Sequence, residues 1–406
     1  LLIKKINIPR SATVLYREKR QNIGARSTQI AMFQMLEKIG INIKYKFDID
    51  VIENLNLNQS IDCLERDILN SNSEKLQELI TNIIKSHCLI INGEGSFIFN
   101  KYGNIMRFFL AIIKIAKRYK TKTYLINCEA SADCEGKIQD ENLLNDVQNG
   151  LRYVDIFAVR SQKSFDFAQK YLSENVYYVP DALFYWQKYF NDGLSIPKIG
   201  DSIIPYPDDY DNFGRFDFTQ PYICISDSSL LVETNYLNYV DKYVYLINKL
   251  QEIKPQIKIY LVETGAPGKS FLNKIAEKTN CPIIPVNINL LDMLSILGHA
   301  ELFISGRWHP SIMALINGTS CIFTTSNSHK TESLASDFYG DNQKVYSCFL
   351  ENENDINDII KNCLDLLNDN EKRRSERKRI KEIASNYTKK CFTITELIER
   401  NIEDGK

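Results

Sequence analysis

The sequence predicts a doubly wound α/β protein built in two halves. Three observations carry that prediction. Short apolar runs rich in Ile, Val, Phe and Tyr alternate with stretches of helical period. The runs are apolar on consecutive positions, the pattern of strands covered on both faces in a parallel sheet. The 406 residues also exceed what one hydrophobic core usually serves, at a prior of ~150 residues per domain.

In chain order, strands are expected at 88–92, 123–127, 156–159, 176–179, 222–226, 258–263, 283–286, 302–305 and 321–325. Helical periods fall between them. Residues 27–38 align Ile30, Phe33, Met35 and Leu36, and residues 73–85 align Leu76, Leu79, Ile80 and Ile83. Stretches 164–172, 236–253, 290–297 and 311–316 follow the same rule. The alternation breaks at 191–220, where three of the eleven prolines gather with Gly and Asp and no period holds. This segment reads as a linker between an N-terminal domain, 1–190, and a C-terminal domain with terminal helices, 221–406.

Composition removes several function classes. Lys+Arg is 50 and Asp+Glu is 51, a balance that argues against a dedicated nucleic-acid binder and against an acidic disordered tail. None of the ten cysteines forms Cys-x-x-Cys, so a structural zinc site is not expected. Cys88, Cys224 and Cys321 lie inside apolar runs, where a thiol acts as a small hydrophobe, and a reducing compartment fits. The apolar stretch 105–116 is interrupted by Arg107 and Lys114 and is too short to span a bilayer. No signal-peptide pattern opens LLIKKINIPR, so a cytoplasmic protein is expected. Residues 369–381 carry seven basic residues, which suit a solvated helix face or contact with an anionic membrane or glycan.

Ligands of open α/β sheets bind beyond the carboxyl ends of strands, so the residues that follow each strand carry the chemistry. After the first expected strand comes Asn92-Gly93-Glu94-Gly95-Ser96, which reads as a ligand-approaching turn or a plain β-to-α turn. Next is Asn127-Cys128-Glu129-Ala130-Ser131, a polar pocket or a helix cap at Ser131. In Val159-Arg160-Ser161-x-x-Ser164 the Arg ends a strand and a Ser caps the following helix, an arrangement suited to an anion or to an acidic neighbour. The richest place is Ser305-Gly306-Arg307-Trp308-His309-Pro310-Ser311. Here a small-residue turn brings a guanidinium and an imidazole to one strand end. The loop Asn327-Ser328-His329-Lys330 follows the next strand and is expected beside it. Arg160, Arg307, His309, His329 and Lys330 form a cationic set for a small, highly charged anion. Neither a DxD, an HExxH nor a P-loop pattern lies in these strand-end segments, so no metal and no cofactor is called for.

These pieces in this order resemble the polysaccharide pyruvyl transferase family. The matching stretches are the N-x-G of Asn22-Ile23-Gly24, GEGS at 93–96, NCEAS at 127–131, VDIFAVRSQKS at 154–164, VPDALF at 179–184, SGRWHPSIMAL at 305–315 and SNSHK at 326–330. The early loop often reads N-x-G-D in that family, but Ala25 follows Gly24 here. The resemblance implies two Rossmann-like, GT-B-like halves facing a cleft, the first on the acceptor side and the second on the donor side. It implies phosphoenolpyruvate as donor and a sugar of a cell-surface polysaccharide, or of its lipid-linked precursor, as acceptor. The product is a cyclic pyruvate ketal.

On that reading Arg307 and Arg160 hold the donor carboxylate and phosphate, and Asn327, Ser328, His329 and Lys330 complete the donor set. His309 is the general acid or base, with Glu94 as second choice beside a helix-start role. Gly93, Gly95, Ser96, Asn127 and Glu129 contact the acceptor. Two other readings stay open. A nucleotide-sugar glycosyltransferase on the same scaffold could rest a phosphate on Glu263-Thr264-Gly265-Ala266-Pro267-Gly268. A non-catalytic glycan binder could use some of the 22 Tyr and 20 Phe for stacking.

Overall fold

The computed structural model describes residues 10–16, 22–52, 55–99, 103–194, 216–231, 234, 236–265 and 268–403. The chain divides into two compact units. The first gathers Leu1–Glu18, Thr28–Ala182 and Lys390–Lys406; the second gathers Lys19–Ser27 and Leu183–Lys389. Neither unit is continuous in sequence. Most of the expected linker, 195–215, lies outside the described residues.

The first unit holds a six-stranded parallel sheet of β1 (Arg10–Tyr16), β2 (Ile41–Asp48), β3 (Cys88–Phe99), β4 (Lys122–Ala132), β5 (Ile156–Val159) and β6 (Tyr177–Tyr178). Their spatial order is β2-β1-β3-β4-β5-β6. The second unit holds a five-stranded parallel sheet of β7 (Tyr222–Ser228), β8 (Lys258–Val262), β9 (Ile283–Ile284), β10 (Leu302–Gly306) and β11 (Ser320–Phe323). Their order is β11-β10-β7-β8-β9. Both sheets follow the doubly wound plan. The chain runs outward from β7 to β9, then returns to the other side of β7 for β10 and β11. The switch point of the second sheet is therefore the β7/β10 pair, and that of the first is β1/β3.

All nine expected strands are present, and two more flank them. β2, INIKYKFD, is an edge strand with an alternating burial pattern; Lys44 and Lys46 blunt the exposed edge. It escapes a reading tuned to continuous apolar runs. β3 and β4 also run further than expected. Residues Gly93–Ser96 and Cys128–Ser131 lie within strands, because pairing resumes beyond a kink as Phe97↔Ala130, Ile98↔Ser131 and Phe99↔Ala132. Phe97, Phe99 and Ala130 are buried in the core of this unit, which rewards that extension.

The helix Ile105–Arg118 lies against the helices Ile61–Leu69 and Glu141–Leu151, and Phe108, Phe109, Leu110, Ile112 and Ile113 are all fully buried. Each such side chain contributes roughly 1.5–3 kcal/mol of hydrophobic stabilisation. The apolar stretch seen in the sequence is thus a core helix. Among the described residues no helix is long and apolar enough to cross a membrane.

The basic stretch forms part of the helix Asn370–Cys391. Arg377 donates to the carbonyls of Gly298 and Ala300 at 2.9 and 2.6 Å, capping the end of the helix Leu290–His299. Arg373 pairs with Glu301, Arg379 donates to Phe338 O, and Lys381 donates to Asn317. Lys372, Arg374 and Lys378 are exposed.

Candidate functional site

In the second unit the residues that follow the strands converge on the switch point. Gly306, the last residue of β10, pairs with Ser228 of β7. A Cβ at Gly306 would lie 2.5 Å from Ser228 Cβ and 2.8 Å from Thr324 Oγ1, so only glycine fits where three strand ends meet. Ser228 donates to Thr325 O at 2.6 Å, and Thr324 N donates to Ser305 O at 3.0 Å. The loops after β10 and β11 are thereby tied side by side, as the sequence order suggests.

Arg307 leaves this junction in extended conformation, its N–H held by Ser305 Oγ at 3.0 Å. Its guanidinium crosses the switch point and forks onto Asp227 near the end of β7, with Nε–Oδ1 at 2.8 Å and Nη2–Oδ2 at 2.5 Å. Nη1 approaches Ser229 Oγ at 3.5 Å. The Asp227 side chain is 1% exposed and that of Arg307 14%. A Cβ at Gly268 would sit 1.8 Å from Asp227 Oδ2, so the carboxylate is seated against bare backbone.

His309 stands in the first turn of the helix Trp308–Leu315, with Pro310 accommodated beside it. Ser311 Oγ donates to Arg307 O at 2.7 Å and stitches that turn. Gly24 packs on the imidazole: a Cβ there would lie 2.4 Å from Nδ1. The early N-x-G piece has a physical account on this basis. Asn22 Oδ1 accepts from Ala25 N at 3.1 Å and caps the helix Ile23–Lys38, Asn22 bridges Gly265, and Gly24 leaves room for His309. Arg26 anchors the same turn on Ile288 O at 3.0 Å. In the next loop Lys330 is buried and donates to Asn327 Oδ1, Ser328 is buried, and His329 is the residue preceding the helix Lys330–Tyr339.

The first unit carries a different cluster. Glu94 and Asn127, on the adjacent strands β3 and β4, both have positive φ, at 46° and 57°. Left-handed backbone is uncommon in non-glycine residues and tends to concentrate at working sites. Asn92 Nδ2 reaches Glu94 Oε1 and Asn127 Nδ2 reaches Asn92 Oδ1, each at 3.3 Å, while Asn127 Oδ1 accepts from Ala182 N at 3.2 Å. Arg160 lies at the centre of three carboxylates. Its distances are 3.2 Å to Glu129, 3.2 Å to Asp181 and 4.0 Å to Glu94. Burial works against its charge, but the summed attraction of Asp181, Glu129 and Glu94 prevails and holds its proton more firmly than usual.

The surroundings of several residues depart from expectation. Gly93 answers to packing: a Cβ there would meet Cys128 Sγ at 2.2 Å. Gly95 is the exposed residue of a strand that is otherwise buried, and Ser96 is buried next to it. The serine that caps the helix Gln162–Tyr171 is Ser161, while Ser164 Oγ accepts from Ala130 N of β4 at 3.1 Å. Ser131 is inside β4, and Asp140 caps the helix Glu141–Leu151.

Sequence reasoning gave no part to Asp227 or Asp181. Asp181 sits in VPDALF, a matched stretch, and an acid just beyond the expected strand 176–179 was its available signal. Asp227 is the last residue but one of the run YICISDS, where a carboxylate inside a buried strand needs a partner.

Sheet order and parallel pairing define a two-domain, Rossmann-like α/β protein. Solved structures share this fold at low identity. UDP-N-acetylglucosamine 2-epimerases are similar: one described as putative from Listeria monocytogenes has a TM-score of 0.59 and 10% identity, with 97% of each chain covered. That from Neisseria meningitidis, bound to UDP-GlcNAc, has a TM-score of 0.55 and 12% identity, with 96% of this chain and 100% of that one covered. That from Rickettsia bellii has a TM-score of 0.55 and 11% identity, with 97% of each chain covered. No curated protein matches the chain in sequence.

Residues 22–329 match the polysaccharide pyruvyl transferase family, and the chain belongs to it. It is a transferase of polysaccharide biosynthesis.

Proposed function

We propose that the protein moves the enolpyruvyl group of phosphoenolpyruvate onto two hydroxyls of one sugar in a cell-surface glycan or its lipid-linked precursor. The observation that carries this reading is the Asp227–Arg307 fork beside His309 at the β7/β10 switch point. Asp227 takes the Nε–Nη2 edge of Arg307 and fixes the guanidinium plane, so the Nη1 side is presented in one orientation. A carboxylate or phosphate of the donor binds there. Lys330, held by Asn327, adds positive charge for the phosphate together with Ser328 and His329.

Carbon 3 of the donor gains a proton and carbon 2 becomes electrophilic. One sugar hydroxyl adds to carbon 2, and the C–O bond to phosphate breaks. The second hydroxyl then closes the ketal. Of the two hydroxyl protons released, one balances the new methyl group and the other leaves with phosphate. His309 handles a proton near the donor, a contribution of ~10²–10⁴ in rate. Glu94 serves as base toward the acceptor, with Asn127 and Glu129 beside it. Arg160 orders these carboxylates: three acids already surround it, so it is better matched to them than to a further anion. A lipid-linked acceptor would bring the protein to an anionic membrane surface, to which the exposed Lys372, Arg374 and Lys378 are suited.

The test incubates the protein with phosphoenolpyruvate and a panel of glycosides, measuring released phosphate and acceptor mass. Phosphate release matched by acceptor gain is expected. Acceptor gain from a nucleotide sugar instead, with phosphoenolpyruvate inert, would overturn the reading.

A further inference from the structure

The first unit carries an open groove of about 470 Å³ that none of the chemistry above uses. That volume is in the range of small-molecule sites, ~300–1,000 Å³. Its floor is Arg107, whose side chain is 7% exposed. Nε donates to Asp146 at 2.6 Å, Nη1 donates to Asn104 Oδ1 at 2.8 Å, and Nη2 lies 3.6 Å from Asp140. Asn104 in turn donates to Asn58. The fork is thus locked before any ligand arrives. Asn142 and Asn145, exposed and three residues apart on the helix Glu141–Leu151, complete the lining.

We propose that this groove is a second carbohydrate site, taking neutral sugar units by their hydroxyls. Its chemistry selects the ligand. The two carboxylates beside Arg107 leave no positive excess, which disfavours phosphates and nucleotides. Its lining residues are polar, which disfavours an acyl or prenyl chain. Carboxamides offer a donor and an acceptor side by side, the pairing that adjacent sugar hydroxyls require.

The groove is also well placed. Asn104 follows Glu94 by ten residues, and the stretch from Glu94 to Phe99 is strand rising ~3.3 Å per residue. The groove and the acid cluster are therefore separate contacts of the same unit. On the pyruvyl-transfer reading, on which this part rests, the groove holds a sugar remote from the one being modified.

The experiment applies the full chain to an array of neutral oligosaccharides, comparing wild type, Asn142→Ala/Asn145→Ala and Glu94→Gln. Wild type and Glu94→Gln are expected to bind a common set. The double variant should bind that set about tenfold or more weakly, as loss of two amide contacts implies. It should keep wild-type phosphate release from phosphoenolpyruvate with a monosaccharide glycoside. Equal binding by the double variant, or no oligosaccharide bound by wild type, overturns the proposal. Binding that behaves as expected while phosphoenolpyruvate stays inert refutes the transfer reading alone.

Discussion

At the scale of single residues, the side chains of the second unit make separable predictions. Arg307→Lys keeps the charge but loses the fork onto Asp227, so the KM for phosphoenolpyruvate should rise at least tenfold in steady-state kinetics. Asp227→Asn keeps the shape and loses the charge-assisted pair, an interaction of about 1.5–3 kcal/mol, and kcat/KM should fall ~10–100-fold. Unchanged kinetics in both variants would remove the donor assignment. His309→Ala should fold, bind donor and lose ~10²-fold or more in kcat. The thiols give an independent check. None of the ten cysteines, all among the described residues, forms a disulfide, and burial pushes Cys88 up to about 12 and raises Cys128 and Cys224 further. Cys134 is exposed, and at Cys63 hydrogen bonds from Ser60 and then Arg66 lower the thiol. Under native conditions a thiol reagent should modify Cys63 and Cys134 first, read by peptide mapping. Arg307 and His309 are legible in the sequence because they directly follow a buried strand. Asp227 is not, since its pairing with a residue 80 positions away exists only once β7 and β10 are neighbours.

At the scale of elements, the strand ends are where local sequence and tertiary demand part. Glycines at 93 and 95 read as a turn, yet β3 continues because its last residues bury against β4. Gly306→Ala should cost ~1–3 kcal/mol in denaturant unfolding, because its Cβ has no space between Ser228 and Thr324. The helix Leu290–His299 adds a pH dependence. Burial lowers the pKa of His299, and the nearby Arg377 and Lys381 lower it further, against a backbone hydrogen bond at Ser295 that raises it. A histidine depressed in the folded state contributes stability above its unfolded pKa of 6.5, and this stability is lost as pH falls below that value. Thermal unfolding of His299→Gln should therefore fall less between pH 7 and pH 5 than that of the wild type.

At the scale of the molecule, alternation of strands and helices made the doubly wound fold legible, but the allocation of chain to units was not. Nothing local in Thr393–Glu403 says that it packs on β4 and β5, where Ile394 and Ile398 are buried and Tyr124 reaches Asn401 at 3.3 Å. Long-range docking of that kind leaves only an amphipathic pattern in the sequence. A fragment of residues 1–190 should accordingly bind a hydrophobic dye and unfold at a lower temperature than the same fragment with 390–406 attached through a flexible tether. Equal melting of the two would show that the terminal helix is dispensable.

The early turn holding Asn22 and Gly24 is assigned to the same compact body as the imidazole it cradles, although nearly three hundred positions separate them along the chain. Recombination at a single junction near 183 would graft a foreign histidine-bearing half onto the host's own cradle. Chimaeras meant to trade acceptor preference should therefore carry 19–27 along with the histidine-bearing portion, and crossovers that ignore this pairing should yield folded but sluggish hybrids.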